Sequence, residues 1–133
     1  MDLLCTLERT LLTYPFNYGY IINTLGGDGD PLDAVVICKP SLHPTCFIKC
    51  KIIGALITSD EKVLLVPDDS VDPTSKNINE YTDIDDHTIK EIKYFFEHYK
   101  DIELGKYIKV DRLISSNEAY NIYYFQNFSK ALI

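Results

Sequence analysis

A chain of 133 residues, 46% of them apolar, is long enough to bury a core as one domain and too apolar to remain disordered. A formal net charge of −7, without any basic run, excludes nucleic acid and anionic membranes as natural partners, since both need clustered Lys and Arg. No stretch approaches the ~20 apolar residues that cross a bilayer. The opening "MDLLCTLERTLLTYP" has no basic lead-in and no small-residue cleavage site, so a cytoplasmic location is expected.

From Tyr20 to Pro67 short β-rich runs alternate with turn signals. "YGYIINTL" is followed by a Gly/Asp turn, then by "LDAVVICKP", "TCFIKCKIIGALI" and "KVLLVP", each rich in Val, Ile and Leu and bounded by Gly, Pro, Ser or Asp. Strands in such series predict a small antiparallel barrel or sandwich. Residues 68–86 are polar, acidic and without periodicity, and read as a surface loop. A helix follows, with Thr88 and Glu91 as a capping box and Ile89, Ile92, Phe95, Phe96, Tyr99 and Ile102 on one apolar face, ended by Gly105. "KYIKV" reads as a further strand. A second helix is predicted from Ser115, with Glu118 three residues on, burying Ile122, Tyr123 and Phe125 or Phe128. The plan is mainly β with α: a β-barrel flanked by two C-terminal helices, as a single domain over residues 1–133.

The four cysteines stand at 5, 38, 46 and 50, with His43 near the third, which raises a zinc reading. Cys46 and Cys50 fall on a predicted strand, where four residues span about 13 Å. Two ligands each ~2.3 Å from one zinc cannot stand so far apart. Buried free thiols in a reducing environment are expected instead.

"LGGDGDPLD", residues 25–33, crowds Asp28, Asp30 and Asp33 onto a turn broken by Gly and Pro. Like charges this close repel, so either a cation sits among them or all three point into water. Carboxylates on a tight turn suit hard divalent cations. A Ca²⁺ loop of the EF-hand type needs glycine at position six and glutamate at twelve; counted from Asp28 these are Asp33 and Lys39, so that reading fails. Mg²⁺, content with two or three carboxylates plus water and phosphate oxygens, fits better. An acidic surface turn is the plain alternative.

The surrounding motifs bear on that choice. "YPFNYG" precedes the turn, with Tyr14, Pro15, Asn17, Tyr18 and Gly19 followed by Ile21 and Thr24. Asp28, Gly29, Asp30, Pro31, Leu32 and Asp33 form a complete D-G-D-P-x-D. Later, "FFEHYKDIELGK" places Phe95, Phe96, Glu97, Tyr99, Lys100, Glu103, Gly105 and Lys106 in the pattern FFExYKxxExGK. With these three motifs in this order, the chain resembles the family I (soluble) inorganic pyrophosphatases. The resemblance implies an OB-like five-stranded β-barrel with helices packed outside, and Mg²⁺-dependent hydrolysis of pyrophosphate by a metal-activated water. It implies Asp28 and Asp33 as metal ligands and Asp30 as the acceptor of the water's proton. Tyr18, Tyr99 and Lys100 would hold substrate. Tyr99 and Lys100 read equally as core packing and as a solvated charge.

Two departures qualify the resemblance. The family carries, before its YPxNYG motif, a region supplying a catalytic-site Glu, a phosphate-binding Lys and a further metal-linked Glu; here only "LERTLLT" lies just before Tyr14. Arg9 would stand for the family's phosphate-binding arginine, at a shorter spacing. Without the family's first strands, an exposed barrel edge is expected, which promotes pairing between chains, and the family's members are oligomeric, so a homo-oligomer is expected. Second, an aspartate, an acidic loop and a D-x-K are compressed into Ser59, Asp60, Glu61 and Lys62. Asp60 is either the first aspartate or the start of the D-x-K; the second reading keeps Asp60 as a metal ligand beside a phosphate-facing Lys62. Two functions remain open: a Mg²⁺-dependent inorganic diphosphatase, slowed by these departures, or a module of the same fold that binds Mg²⁺ or a phosphate ligand as scaffold or partner subunit.

Overall fold

In the computed structural model, residues 3–7, 16–24, 30–39, 42, 46–58, 61–104 and 112–131 are described; for residues 3, 4, 6, 7, 99–104 and 125–131 this extends to the backbone alone. The elements in chain order are strands β1 (Leu3–Leu7), β2 (Asn17–Ile21), β3 (Asp33–Val36), β4 (Phe47–Ile57) and β5 (Glu61–Pro67), helix α1 (Asp86–Leu104), strand β6 (Arg112–Ser115) and helix α2 (Ser116–Ala131). Neighbouring strands run in the order β1-β2-β3-β5-β4-β6, and β4 pairs with β1 as well, so five strands form a ring of pairings. All pairs are antiparallel except β3 with β5.

The eleven residues of β4 make the ring possible. One of its edges carries β5; the other carries β1 along Phe47–Cys50 and β6 along Gly54–Ile57. Between those stretches the register with β5 slips by one, from Ile52 opposite Leu65 to Gly54 opposite Leu64, with Ile53 as the extra residue.

The four runs read as strands are β2 to β5, and the fold is the α+β barrel with two late helices that the sequence implies. The differences lie at its margins. "LLCTL" is a strand with a partner on either side, so β1 covers the edge of β4 that was expected to be exposed. β6 is a sixth strand at "RLIS", while "KYIKV" lies outside the described residues. The acidic loop contains two short 3₁₀ turns, Pro73–Asn77 and Tyr81–Asp83. Helix α1 starts two residues before Thr88, because the carboxylate of Asp85 accepts both the N–H and the hydroxyl of Thr88, at 2.9 and 2.8 Å. Asp is as good an N-cap as Thr, and the earlier of the two takes the role. α2 begins as predicted, with Ser115 Oγ accepting the N–H of Glu118 at 3.3 Å.

Period-two alternation divides the core. Cys5, Ile21, Ala34, Val36, Ile48, Cys50, Val63 and Leu65 come from all five strands of the ring and fill its interior, joined by Leu32 and by Tyr123 of α2. Tyr18, Val35, Leu64 and Val66 point the other way, with Ile53 and Leu56, onto Ile89, Ile92 and Phe96 of α1. Both faces of β5 are therefore buried, which explains why "KVLLVP" reads as a continuous apolar run rather than an alternating one. None of the four cysteines is in a disulfide; Cys5 and Cys50 are fully buried, whereas Cys38 and Cys46 are only half-buried. Burial, reinforced by the neighbouring Cys5, Cys38, Asp68 and Cys46, pushes the Cys50 thiol far up from its ordinary value. Among the described residues no helix is long and apolar enough to cross a membrane.

Candidate active site

β3 and β5 are neighbours although β4 separates them in sequence, and their parallel register sets Asp33 directly opposite Lys62. Both side chains lie on the α1 side, in line with Val35 and Leu64 two residues further on. Lys62 Nζ donates to Asp33 Oδ2 at 2.6 Å, in a place where the two side chains are only 14% and 24% exposed. The same ammonium stands over two ring faces, 5.8 Å from the centroid of Tyr18 and 5.6 Å from that of Phe96. Those rings lie 5.5 Å apart and are themselves buried. Among its described partners Lys62 meets the Asp33 carboxylate and two aromatic faces, each of which favours a cation. Phe16 and Phe95 pack against Phe96 from outside.

The turn before Asp33 is built on Leu32. Its side chain is buried in the ring interior, its N–H donates to Thr24 Oγ1 at 3.0 Å, and its carbonyl accepts the N–H of Ile21 at 2.9 Å. The buried Thr24 hydroxyl in turn donates to the carbonyl of Ile21 at 2.6 Å. Asn23, with φ of 60°, turns the chain out of β2 to bring Thr24 there; Asn tolerates the left-handed region better than most residues. One buried residue flanked by two carboxylates explains the spacing: Leu32 anchors the turn, Asp30 is exposed on one side of it, and Asp33 opens β3 on the other. Asn17 does different work. Its Oδ1 accepts the N–H of Leu42 at 2.8 Å and its Nδ2 donates to Cys38 Sγ at 3.3 Å, tying the segment after β3 to β2. Burial raises the Cys38 thiol above its ordinary value, a rise that this hydrogen bond partly offsets.

Of the residues predicted for the site, Tyr18, Asp33 and Lys62 come together and Asp30 lies on the adjoining turn. Arg9, Asp28 and Asp60 lie outside the described residues, and Tyr99 and Lys100 are placed in α1 by backbone alone. Among the described residues no three metal-ligating side chains gather. Phe96 belongs to the site although the sequence marks it only as a motif residue on the apolar face of α1, with no site role. Thr24 was visible as a motif residue, but not as the strut under Leu32.

The family model for inorganic pyrophosphatase matches residues 5–126. The inorganic pyrophosphatase of Sulfolobus acidocaldarius is 44% identical over 117 residues, 84% of this chain and 68% of that one. That of Nanoarchaeum equitans is 43% identical over 114 residues, 82% and 71% of the two chains. Among solved structures, an inorganic pyrophosphatase from Helicobacter pylori superposes with a TM-score of 0.84 at 34% identity, over 92% of this chain and 75% of that one. An inorganic phosphatase from Anaplasma phagocytophilum gives a TM-score of 0.90 at 26% identity, over 98% and 94%. The family model and these relatives agree: the chain belongs to the inorganic pyrophosphatase family.

Proposed function

We propose that this chain hydrolyses inorganic pyrophosphate to two phosphates, with Mg²⁺ as its cofactor. The observation that carries the reading is the half-buried Asp33–Lys62 pair, set beside the exposed Asp30 in a member of this family. The donor chemistry suits the metal: Asp33 offers a hard carboxylate oxygen at the end of an anchored turn, which Mg²⁺ prefers, and it completes its shell with water and phosphate oxygens. Bound there, Mg²⁺ supplies Lewis acidity, neutralising phosphate charge and acidifying water.

The chain's own residues supply the rest. Asp33, with Asp28 and Asp60, would hold metal. Asp30, exposed on the turn, would accept the proton of the attacking water. Lys62 would turn its positive charge to a phosphate oxygen, and Tyr18 backs it with a ring face. Arg9, Tyr99 and Lys100 would complete the hold on the substrate. A cytoplasmic location and self-association into a homo-oligomer belong to the same reading.

The test is phosphate release from pyrophosphate at millimolar Mg²⁺, run beside Asp30→Asn. General-base loss should slow release by roughly 10²–10⁴-fold. Equal, negligible release from both proteins would overturn the enzyme reading in favour of a module that only binds.

A further inference from the structure

We infer that Lys62 is an internal counter-ion that Mg²⁺ must displace from Asp33, so that loading the metal and freeing a lysine for phosphate are one exchange. The inference rests on the reading above, in which Asp33 is a metal ligand and Lys62 a phosphate-facing cation.

The geometry carries it in three steps. First, the ammonium is 2.6 Å from Asp33 Oδ2, so a cation already occupies the approach to that oxygen. Mg²⁺ demands its oxygen ligands at about 2.0–2.1 Å in near-octahedral array. A dication held by Asp33 would therefore stand close to a monocation, and in a site where the two side chains are only 14% and 24% exposed, water screens that repulsion poorly. Second, the ammonium has somewhere to stay. The rings of Tyr18 and Phe96 hold it from two sides and are themselves fixed in the outer core. A lysine has a long flexible stem, so it can leave the carboxylate without leaving the rings. Third, an ammonium that has given up the Asp33 carboxylate regains a charge-assisted hydrogen bond by donating to another anionic oxygen. Once Asp33 is taken by metal, a phosphate oxygen is the natural replacement. Phe96 and Tyr18 act as positioning residues, keeping Lys62 beside the metal site in either state.

The consequence is a linkage. Lys62 weakens Mg²⁺ binding in the resting protein, and Mg²⁺ makes Lys62 available to phosphate. The test needs no turnover. Mg²⁺ is titrated by calorimetry into the full chain, into Lys62→Met and into Lys62→Arg. Lys62→Met should bind Mg²⁺ roughly tenfold more tightly, inside the 5- to 150-fold span usual for coupled sites; Lys62→Arg, which keeps a cation, should stay near the parent. In parallel, the side-chain NMR signals of Lys62 are followed in the unaltered protein as Mg²⁺ is added, which asks nothing of a variant's folding. They should shift with saturation, and should stay still in Asp33→Asn.

Mg²⁺ affinity that is unchanged or lower in Lys62→Met overturns the exchange. So do Lys62 signals that do not move as Mg²⁺ saturates, or the absence of any Mg²⁺ binding. A chain that shows the exchange yet releases no phosphate overturns hydrolysis and leaves the linkage standing; one that hydrolyses pyrophosphate while Lys62 stays on Asp33 does the reverse.

Discussion

Gly54 of β4 passes so near Ile114 of β6 that a Cβ built on it would stand 2.8 Å from the Ile114 carbonyl oxygen. The Tyr81 ring closes the other side, 2.9 Å from the same point. No side chain fits there, and the backbone oxygen cannot step aside without breaking the strand pair. Gly54→Ala should therefore cost about 1–3 kcal/mol, the usual range for overpacking a filled interior. A shift of the urea midpoint to lower concentration, with an unchanged slope, checks it. An unmoved midpoint would mean that β6 follows the extra methyl outward at no cost.

Glu80 and Ser116 are joined across the surface between the second 3₁₀ turn and α2. The Glu80 carboxylate accepts the Ser116 N–H at 2.9 Å and also the Ser116 hydroxyl. An acidic group at the first turn of a helix is favoured by the helix dipole, and here it comes from a distant loop. Glu80→Ala should lose about 1.5–3 kcal/mol, the worth of hydrogen bonds to a charged group. Glu80→Gln should lose less, since it keeps an acceptor. Denaturant titration of both variants checks the order, and equal stability of all three proteins would show that solvent replaces the carboxylate fully.

Acid should destabilise the fold through three loop carboxylates. The Thr74 hydroxyl and N–H donate to Asp72, the N–H groups of Asn79 and Glu80 donate to Asp83, and the Thr88 hydroxyl and N–H donate to Asp85. Each set holds its carboxyl below the ordinary 3.8. A folded value below the unfolded one gives stability that is complete above 3.8 and fades as pH falls through the folded value. Thermal melts should accordingly be flat near neutrality and drop below that point. Asp83→Asn should be less stable at neutral pH and show a shallower acid decline; a decline as steep as the parent's would assign it to other carboxylates.

Several features were readable from the residues because their causes are local. β2 to β5 are punctuated by Gly, Pro and Asp, and Ser115 with Glu118 marks the start of α2. The cap of α1 lies three residues before the expected one, because Asp85 and Thr88 are both competent caps and only the bond between them shows which one serves. β1 left no such mark: "LLCTL" is short, and what makes it a strand is the supply of partners in β2 and β4. The site divides in the same way. Asp30, Asp33, Tyr18 and Lys62 were identified as a set by resemblance, but the pairing of Asp33 with Lys62 depends on two strands that are adjacent in space and not in order. Phe96 stands in the third motif and on the apolar face of α1, neither of which gives it a partner; its place against the ammonium follows from how α1 lies on β2 and β5.

The strand that closes the ring has a bearing on how the chain reaches its fold. β1 finds its second partner only in Phe47–Cys50, so the pairing spans the first fifty residues. Joining ends that far apart carries a loop-closure cost that local contacts do not offset, and folds dominated by such pairings form slowly. On the ribosome β1, made before β4, must wait for it to emerge. Until the two meet, both keep an open row of backbone donors and acceptors, and that interval is when one nascent chain is most able to pair with another.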